Sequence, residues 1–328
     1  MTKPDEKMRA AMASAEVGDD VLDGDPTMRA LEERAAELLG KAAALWVPTG
    51  CMGNAIALML HLRRGDRFLA AAGAHVLGME LGTPAWLAGG LPEPLPWDAG
   101  PGRFSAAAVR SAAGTPGPYF TLRTSLLCLE NTHNSAGGTV TPLAEHAELV
   151  AAAREAGLKV HLDGARIWNA AVALGATPAQ LAIGTDTVQV CLSKGLGAPM
   201  GSLVAGTTEF VAEARRVRKM LGGGVRQGGI VAAAGLVALD RIDDLADDHA
   251  NAALLAEGLA GLGLETSAPQ TNIVMATVPD PGALLEQMAA AGVLAAPMAG
   301  KIRFVTHRDV SRDDITEAVR RIGTALRN

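Results

Sequence analysis

Short runs of consecutive apolar residues alternate along the chain with longer segments in which apolar residues recur every three or four positions. Uninterrupted apolar runs are typical of strands that are covered on both faces of a parallel sheet. Six such runs predict strands at residues 42–47, 66–72, 125–130, 158–163, 187–192 and 201–206. This alternation predicts an α/β fold, with a three-layer αβα large domain built on a mainly parallel sheet.

The helical segments between these runs carry recognisable start and stop signals. Asp25 is a favoured N-cap residue, Pro26 suits the first helical position, and Gly40 suits the end of the same helix. A second helix is predicted to begin after Thr141 and to end at Gly157 on the same grounds.

The pattern changes from about Asp247, where helical and strand-like segments form a second, shorter α/β series. We therefore predict a large domain at residues 1–246 and a small C-terminal α/β domain at residues 247–328. The segment 238–250 is predicted to be one connecting helix. The segment 89–104 is rich in proline and glycine and is predicted to be a surface loop.

The composition and charge of the chain argue against several classes of function. The chain has 328 residues, of which 49% are hydrophobic and 20% charged, so it can bury a sizeable core. A net charge of −6 argues against a nucleic-acid or anionic-membrane partner. The N-terminus has no apolar signal segment, and no apolar run is long enough to span a bilayer. Cys51, Cys128 and Cys191 are predicted to be buried thiols of a cytoplasmic protein, and no metal site is predicted.

The turn after the first strand is the first candidate for chemistry. Gly50, Cys51 and Gly53 open a helix, and free N–H groups at a helix start can bind an anion such as a phosphate. The turn matches neither a P-loop nor a dinucleotide fingerprint, which argues against a nucleotide-binding module. Taken alone, it is better explained as an ordinary strand–helix turn than as an anion site.

Two charged residues follow later strands. Asp163 ends one strand, where it could meet a ligand or simply cap a helix beside Arg166. Lys194 follows the next strand, so both residues are expected at the same edge of the sheet. An amine that forms a Schiff base, a carboxylate that keeps a pyridine nitrogen protonated and an anion-binding helix start together fit pyridoxal 5′-phosphate. His75 could lie against its ring or move a proton.

The motifs that contain these residues resemble one known family. "PTGCMGNAIAL", "LENTHNSAGGTVTPL", "HLDGARIWNA", "VCLSKGLGAPMGSLVAG", "RKMLGGGVRQ" and "RFVTHRDVSR" occur in order across nearly the whole chain. The chain is similar to the low-specificity L-threonine aldolases, which have the aspartate-aminotransferase-like fold (fold type I of pyridoxal-phosphate enzymes). The resemblance implies retro-aldol cleavage of L-threonine or L-allo-threonine to glycine and an aldehyde.

The resemblance also implies a role for each candidate residue. Lys194 matches the lysine that binds the cofactor aldehyde, Asp163 the carboxylate at the pyridine nitrogen, and His75 the ring-stacking histidine that could also handle the hydroxyl proton. Arg166 matches a residue near both the cofactor ring and the substrate carboxylate, and Arg303 matches the arginine that binds this carboxylate. The remaining matches are Gly50 and Cys51 in the phosphate loop and Lys219 at the phosphate of a neighbouring subunit. The family's assembly implies a homo-oligomer, commonly a tetramer, with active sites at subunit interfaces.

Several positions depart from the family pattern. The family usually begins with an R-S-D-T-V-T segment, whereas this chain begins with "MTKPDEKM". Leu22 replaces the usual tyrosine, Cys51 replaces a threonine, and Phe120 stands where some relatives carry a histidine. Because the lysine–aspartate pair is intact, the same residues would also serve β-elimination or racemisation of an amino acid. A homologue that binds the cofactor without turnover is the non-enzyme alternative.

Overall fold

A central seven-stranded sheet organises the larger part of the molecule. The structure is a computed structural model and describes residues 2–22, 24–115 and 117–327. The strands are β1 (Ala43–Val47), β2 (Arg67–Ala71), β3 (Leu91–Leu95), β4 (Thr124–Glu130), β5 (Lys159–Gly164), β6 (Thr187–Cys191) and β7 (Ser202–Gly206). Their order is β1-β7-β6-β5-β4-β2-β3, and only β7 runs antiparallel to its neighbours. The six strands predicted from the apolar runs are confirmed.

Helices connect these strands and bury the sheet. They are α1 (Glu6–Ala13), α2 (Pro26–Leu39), α3 (Gly50–His61), α4 (His75–Gly78), α5 (Thr83–Trp86), α6 (Ala106–Ala113), α7 (Leu143–Glu155), α8 (Ile167–Leu174), α9 (Pro178–Leu181), α10 (Thr208–Met220) and α11 (Gly229–Leu239). A 3₁₀ turn covers Asp20–Leu22. As predicted, the Asp25 side chain accepts a hydrogen bond from the N–H of Met28, and Gly40 ends α2 in the left-handed conformation (φ 60°).

The prediction that residues 89–104 form only a surface loop is wrong, because Leu91–Leu95 is the edge strand β3. The N–H of Leu91 donates to a carbonyl just before β2 at 2.8 Å. Pro92 and Pro94 occupy the alternate positions, which face the open edge, so their missing N–H groups cost the sheet no hydrogen bond. Proline is therefore evidence against a strand only where both edges of that strand are hydrogen-bonded to neighbouring strands.

A second sheet forms the C-terminal part. It contains β8 (Glu265–Thr266), β9 (Ile273–Thr277), β10 (Ala296–Met298) and β11 (Lys301–Val305) in the antiparallel order β10-β11-β9-β8. The helices beside it are α12 (Leu245–Gly261), α13 (Pro281–Ala290) and α14 (Arg312–Ala325). Apolar side chains of α12, β9, β11 and α14 form a hydrophobic core separate from that of the large sheet.

The connection between the two parts is not one helix, so that prediction is wrong. Helix α11 ends at Leu239 and α12 begins at Leu245, with a turn at residues 240–244. Asp243 and Asp244 lie in this turn, and aspartate favours turns over helix interiors. The boundary at residue 246 stays a prediction. It is consistent with Leu245 packing into the core of the large sheet, while the small core draws on α12 residues from Ala252 onward.

Within the described residues, no helix combines the length and the apolar character needed to cross a bilayer. The feature that positions the candidate site is the parallel run β4-β5-β6. The carboxyl ends of these strands meet at one edge, where ligands of open α/β sheets bind.

Candidate active site

The structure brings Asp163 and Lys194 to the same edge of the sheet, as predicted. Asp163 lies near the end of β5, and its neighbour β6 leads three residues past its own end to Lys194. Asp163 is buried, whereas Lys194 is half-buried and lines a cleft of about 950 Å³ together with Arg166 and Arg303. The cleft separates the large sheet from the C-terminal sheet, and its volume suits a cofactor with a small substrate.

Neutral groups alone hold the buried Asp163 carboxylate. One oxygen accepts from Asn54 Nδ2 at 2.8 Å, and the other accepts from the N–H of Ala165 at 3.1 Å. Within the described ranges, no lysine or arginine forms an ion pair with it. Buried carboxylates are usually paired with a cation. Asp163 therefore offers a negative charge to a cationic group bound in the cleft, as a protonated pyridine nitrogen would be.

Asn54 and Glu80 are site residues that the sequence analysis missed. Asn54 Nδ2 donates to Glu80 Oε1 as well as to Asp163, both at 2.8 Å. Glu80 Oε1 also lies 2.8 Å from His75 Nδ1. This hydrogen bond raises the pKa of His75, while burial raises the pKa of Glu80. Asn54 thus links the predicted ring-stacking histidine to the predicted nitrogen-binding carboxylate.

A hydrogen-bond chain extends from Asn54 through His161 and Thr187 to His61, the last residue of α3. His161 Nε2 donates to Asn54 Oδ1 at 3.1 Å, because the Asn54 amide already donates to two carboxylates. The Thr187 hydroxyl therefore donates to His161 Nδ1 at 2.8 Å and accepts from His61 Nε2 at 2.9 Å. Burial lowers the pKa of His161 to about 3 and that of His61 to about 4, so both rings are neutral at neutral pH.

Arg166 and Arg303 converge, although Arg166 follows β5 of the large sheet and Arg303 lies on β11 of the C-terminal sheet. Both guanidinium groups donate to Asn134 Oδ1, at 3.1 and 2.8 Å. Burial lowers the pKa of both side chains, and for Arg166 the charge of Arg303 lowers it further. Arg303 Nε is buried without a hydrogen-bond partner in the described chain. Two cations that share only a neutral amide oxygen form a site for a carboxylate.

Glu130 holds two segments of the site in place. One of its oxygens accepts from the N–H of His75 at 2.7 Å, and the other accepts from the N–H of Asn134 at 2.8 Å. Glu130 ends β4, so a single strand end sets the position of both the histidine and the amide between the arginines. The sequence offered one signal for this role, a charged residue at the end of an apolar run.

The helix start at Gly50 has the predicted position, but its glycines have another structural reason. A Cβ at Gly50 would lie 2.9 Å from Cys191 Sγ, and one at Gly53 would lie 2.7 Å from a side-chain carbon of Gln189. The glycines thus allow α3 to pack closely on β6. The prediction that Cys51 is a buried thiol is wrong, since it is exposed at this helix start, while Cys128 and Cys191 are buried and all three are free.

Lys219 is not among the residues that line the cleft. It lies near the end of α10, where its side chain is exposed. Its side chain makes no ion pair or hydrogen bond with any residue that the structure describes. Its assignment to a neighbouring subunit's phosphate stays a prediction.

Known proteins match this chain over nearly its full length. The family model of the beta-eliminating lyases matches residues 1–281. The low specificity L-threonine aldolase of Escherichia coli (strain K12) is 42% identical over 322 residues, covering 97% of this chain and 94% of that protein. Low-specificity L-threonine aldolase 1 of Arabidopsis thaliana is 39% identical over 327 residues, covering 96% and 91% of the two chains.

Solved structures share the fold. Threonine aldolase of Leishmania major superposes with a TM-score of 0.83 at 21% identity and covers 99% of this chain and 96% of its own. Serine palmitoyltransferase of Sphingomonas wittichii has a TM-score of 0.78 at 19% identity, covering 98% and 84%. The fold is thus that of fold type I, as expected. The chain belongs to the beta-eliminating lyase family and, within it, to the low-specificity L-threonine aldolases.

Proposed function

We propose that the protein is an aldehyde-lyase that uses pyridoxal 5′-phosphate to cleave L-threonine, L-allo-threonine and related β-hydroxy-α-amino acids into glycine and an aldehyde. The observation that carries this proposal is the arrangement around the cleft. A lysine amine and two converging arginines line one space between the two sheets. At the same sheet edge as the lysine lies a buried carboxylate that has no cationic partner among the described residues. The names of the two sequence relatives support the choice of reaction.

The residues fit the cofactor. Asp163 would hold the pyridine nitrogen, Lys194 would bind the aldehyde carbon covalently, and the first turn of α3 at Gly50 and Cys51 would donate N–H groups to the phosphate. When bound, pyridoxal phosphate supplies an electron sink for the Cα–Cβ bond that breaks. The bond from Asp163 to Asn54 keeps the carboxylate fixed before the ring arrives, which removes an ordering cost from binding.

Arg166 and Arg303 would bind the substrate carboxylate and so orient the molecule in the cleft. A doubly held carboxylate would fix the rotation about the Cα–N bond of the substrate, which decides which Cα bond stands ready to break. His75 would accept the proton of the β-hydroxyl group, directly or through water. Its hydrogen bond to Glu80 raises its pKa, which makes the free imidazole a better proton acceptor.

We further propose a homo-oligomer, a tetramer in which Lys219 reaches the phosphate of a neighbouring subunit. The exposed position of Lys219 supports this, because a side chain directed away from its own cleft is free to enter another. Three free cysteines support a cytoplasmic location. Sedimentation velocity of the wild type and of Lys219→Ala, combined with the cofactor affinity of each, tests the assembly. A monomeric wild type, or an unchanged cofactor affinity in the variant, would contradict the role of Lys219.

The function is tested in two steps. Purified protein is reduced with borohydride in the presence of pyridoxal phosphate, and the modified lysine is mapped by mass spectrometry. We expect modification at Lys194 and none in Lys194→Ala. The protein is then incubated with L-threonine and with L-allo-threonine, and glycine and acetaldehyde are measured. The family model's name keeps β-elimination as the second candidate, and that reaction would instead release ammonia and a 2-oxo acid. Release of those products without glycine would refute the aldolase.

A further inference from the structure

Three side chains with metal-binding donor atoms form one cluster, which Asn54 links to Asp163. Cys51 comes from the first turn of α3, His75 is the first residue of α4, and Glu80 lies in the turn between α4 and α5. A sulfur, a ring nitrogen and a carboxylate oxygen from these residues all lie within 4.8 Å of one another. This is a mixed sulfur, nitrogen and oxygen donor set, which suits Zn²⁺ and other divalent cations of intermediate softness.

A second observation indicates that this cluster can bind a cation. Glu80 is 4% exposed, and its Oε2 has no hydrogen-bond partner among the residues that the structure describes. Its other oxygen already accepts from Asn54 and lies beside His75 Nδ1. An unpaired oxygen of a buried carboxylate is costly, and a bound cation would satisfy it.

The charges around the cluster favour a cation as well. The carboxylates of Asp163 and Glu130 act electrostatically on His75, in addition to Glu80 itself. The carboxylates of Glu80 and Asp163 act electrostatically on Cys51, and Lys194 acts on it in the opposite sense. Three carboxylates, those of Glu80, Asp163 and Glu130, thus act on the donor atoms of the cluster. These charges distinguish the cluster from a group of polar residues that is fully exposed to solvent.

We propose that Cys51, His75 and Glu80 bind one Zn²⁺ ion in the cofactor-free protein, and that this ion and pyridoxal phosphate exclude each other. In a tetrahedral zinc site, ligand atoms are separated by roughly 3.3–3.8 Å. The most distant of the three donors must therefore move closer by up to about 1 Å, and His75 Nδ1 must exchange its 2.8 Å hydrogen bond with Glu80 for a bond to the ion. The exposed Cys51 side chain can rotate to do so. On binding, the thiol releases its proton to solvent and its sulfur forms the bond to zinc. The fourth position remains open to water, as in sites with three protein ligands.

The exclusion follows from shared residues and rests on the proposed function. His75 is assigned to the face of the pyridine ring, and Cys51 to the helix start that binds the phosphate. A metal ion between them would occupy the position of the ring and draw the imidazole out of its stacking orientation. Zinc binding itself does not depend on the proposed function, so the two can be tested separately.

The metal site is tested on full-length protein without a histidine tag, from which pyridoxal phosphate has been removed with hydroxylamine and metals with a chelator. Calorimetric titration with Zn²⁺ is expected to give one ion per chain. Co²⁺ is expected to produce the near-ultraviolet charge-transfer band of a thiolate ligand. Cys51→Ser and Glu80→Gln are each expected to weaken Zn²⁺ binding by more than about tenfold. Cys128→Ala, which removes a buried thiol outside the cluster, is the matched control and is expected to bind like the wild type.

Zinc affinity that is unchanged in Cys51→Ser, or a Co²⁺ spectrum without the thiolate band, would overturn the site. The exclusion is tested by adding pyridoxal phosphate to the protein with and without bound Zn²⁺ and following the visible absorbance of the bound cofactor. We expect Zn²⁺ to suppress this absorbance until a chelator is added, and equal absorbance in both samples would refute the exclusion. Failure of the metal-free protein to bind the cofactor would refute the proposed function, while the zinc titration would still decide the site.

Discussion

Replacement of His161 by leucine tests the buried hydrogen-bond chain behind Asp163. His161 is fully buried and uses both ring nitrogens, one toward Asn54 and one toward Thr187. Leucine leaves the Asn54 oxygen and the Thr187 hydroxyl without these partners. Each unsatisfied buried group costs about 1–3 kcal/mol. At pH values above the ordinary histidine pKa, we therefore expect a clear loss in the free energy of unfolding.

The pH dependence of this loss is the sharper part of the prediction. Burial lowers the pKa of His161 from 6.5 to about 3 in the folded protein, whereas the unfolded chain has the ordinary value. The neutral ring thus contributes its full stability above pH 6.5, and that stability declines as the pH falls toward 3. At about pH 5 the unfolded state is stabilised by about 2 kcal/mol because this histidine is protonated there and not in the folded protein. This free energy is nearly the same for any folded-state pKa below about 4.

The leucine variant has no such proton to bind. Its destabilisation relative to the wild type is therefore expected to be about 2 kcal/mol smaller at about pH 5 than at about pH 8. Urea unfolding followed by tryptophan fluorescence measures this difference, because Trp46 and Trp168 are buried in the core of the large sheet. Leu162→Ala, a buried apolar change on the same strand, serves as the control and should lose the same free energy at both pH values. If His161→Leu loses the same free energy of unfolding at both pH values, the conclusion that the buried ring is neutral is refuted.

Four further substitutions, one of them a control, test the site and its packing. Arg303→Gln should raise KM for the amino acid about 10–100-fold in steady-state kinetics, since a charged hydrogen bond contributes about 1.5–3 kcal/mol, and an unchanged KM would contradict its role. Gly53→Ala should lower stability by about 1–3 kcal/mol because its Cβ would lie 2.7 Å from a side chain of β6. Gly78→Ala, with no atom within 4 Å, should leave the Tm unchanged, and equal shifts in both variants would refute the packing argument. Asn54→Ala should weaken binding of pyridoxal phosphate about tenfold in absorbance titrations, because Asp163 loses its amide donor; full affinity would argue against this positioning role.

The sequence predicted the parallel sheet well because each strand carries its own signal. Strands that are buried on both faces must be apolar throughout, so β5 and β6 are visible without any knowledge of their neighbours. The helix signals at Asp25 and Gly40 are equally local. Asp163 and Lys194 could be paired from sequence because parallel strands have their carboxyl ends at a common edge.

The features that the sequence analysis missed depend on contacts that no local sequence pattern marks. Glu80 was overlooked because nothing near it marks a glutamate that contacts Asn54 and His75. The exposure of Cys51 was also missed, since apolar neighbours in the sequence do not reveal which residues at the start of a helix are exposed. Strand β3 was missed because its prolines are acceptable only at the edge of a sheet, and that position depends on the order of all seven strands.

The sequence by itself determined the α/β class, the strand positions and the charged residues at the strand ends, because burial and helix capping act within a few residues. Only the tertiary structure decided which of those residues meet. The two arginines share one amide oxygen. A buried carboxylate with no cationic partner among the described residues lies at the same sheet edge as a half-buried lysine, and a thiol, an imidazole and a second carboxylate form one cluster. The physical reason is that electrostatic and hydrogen-bond energies depend on distances in space, and crossovers between strands set those distances without leaving a local pattern.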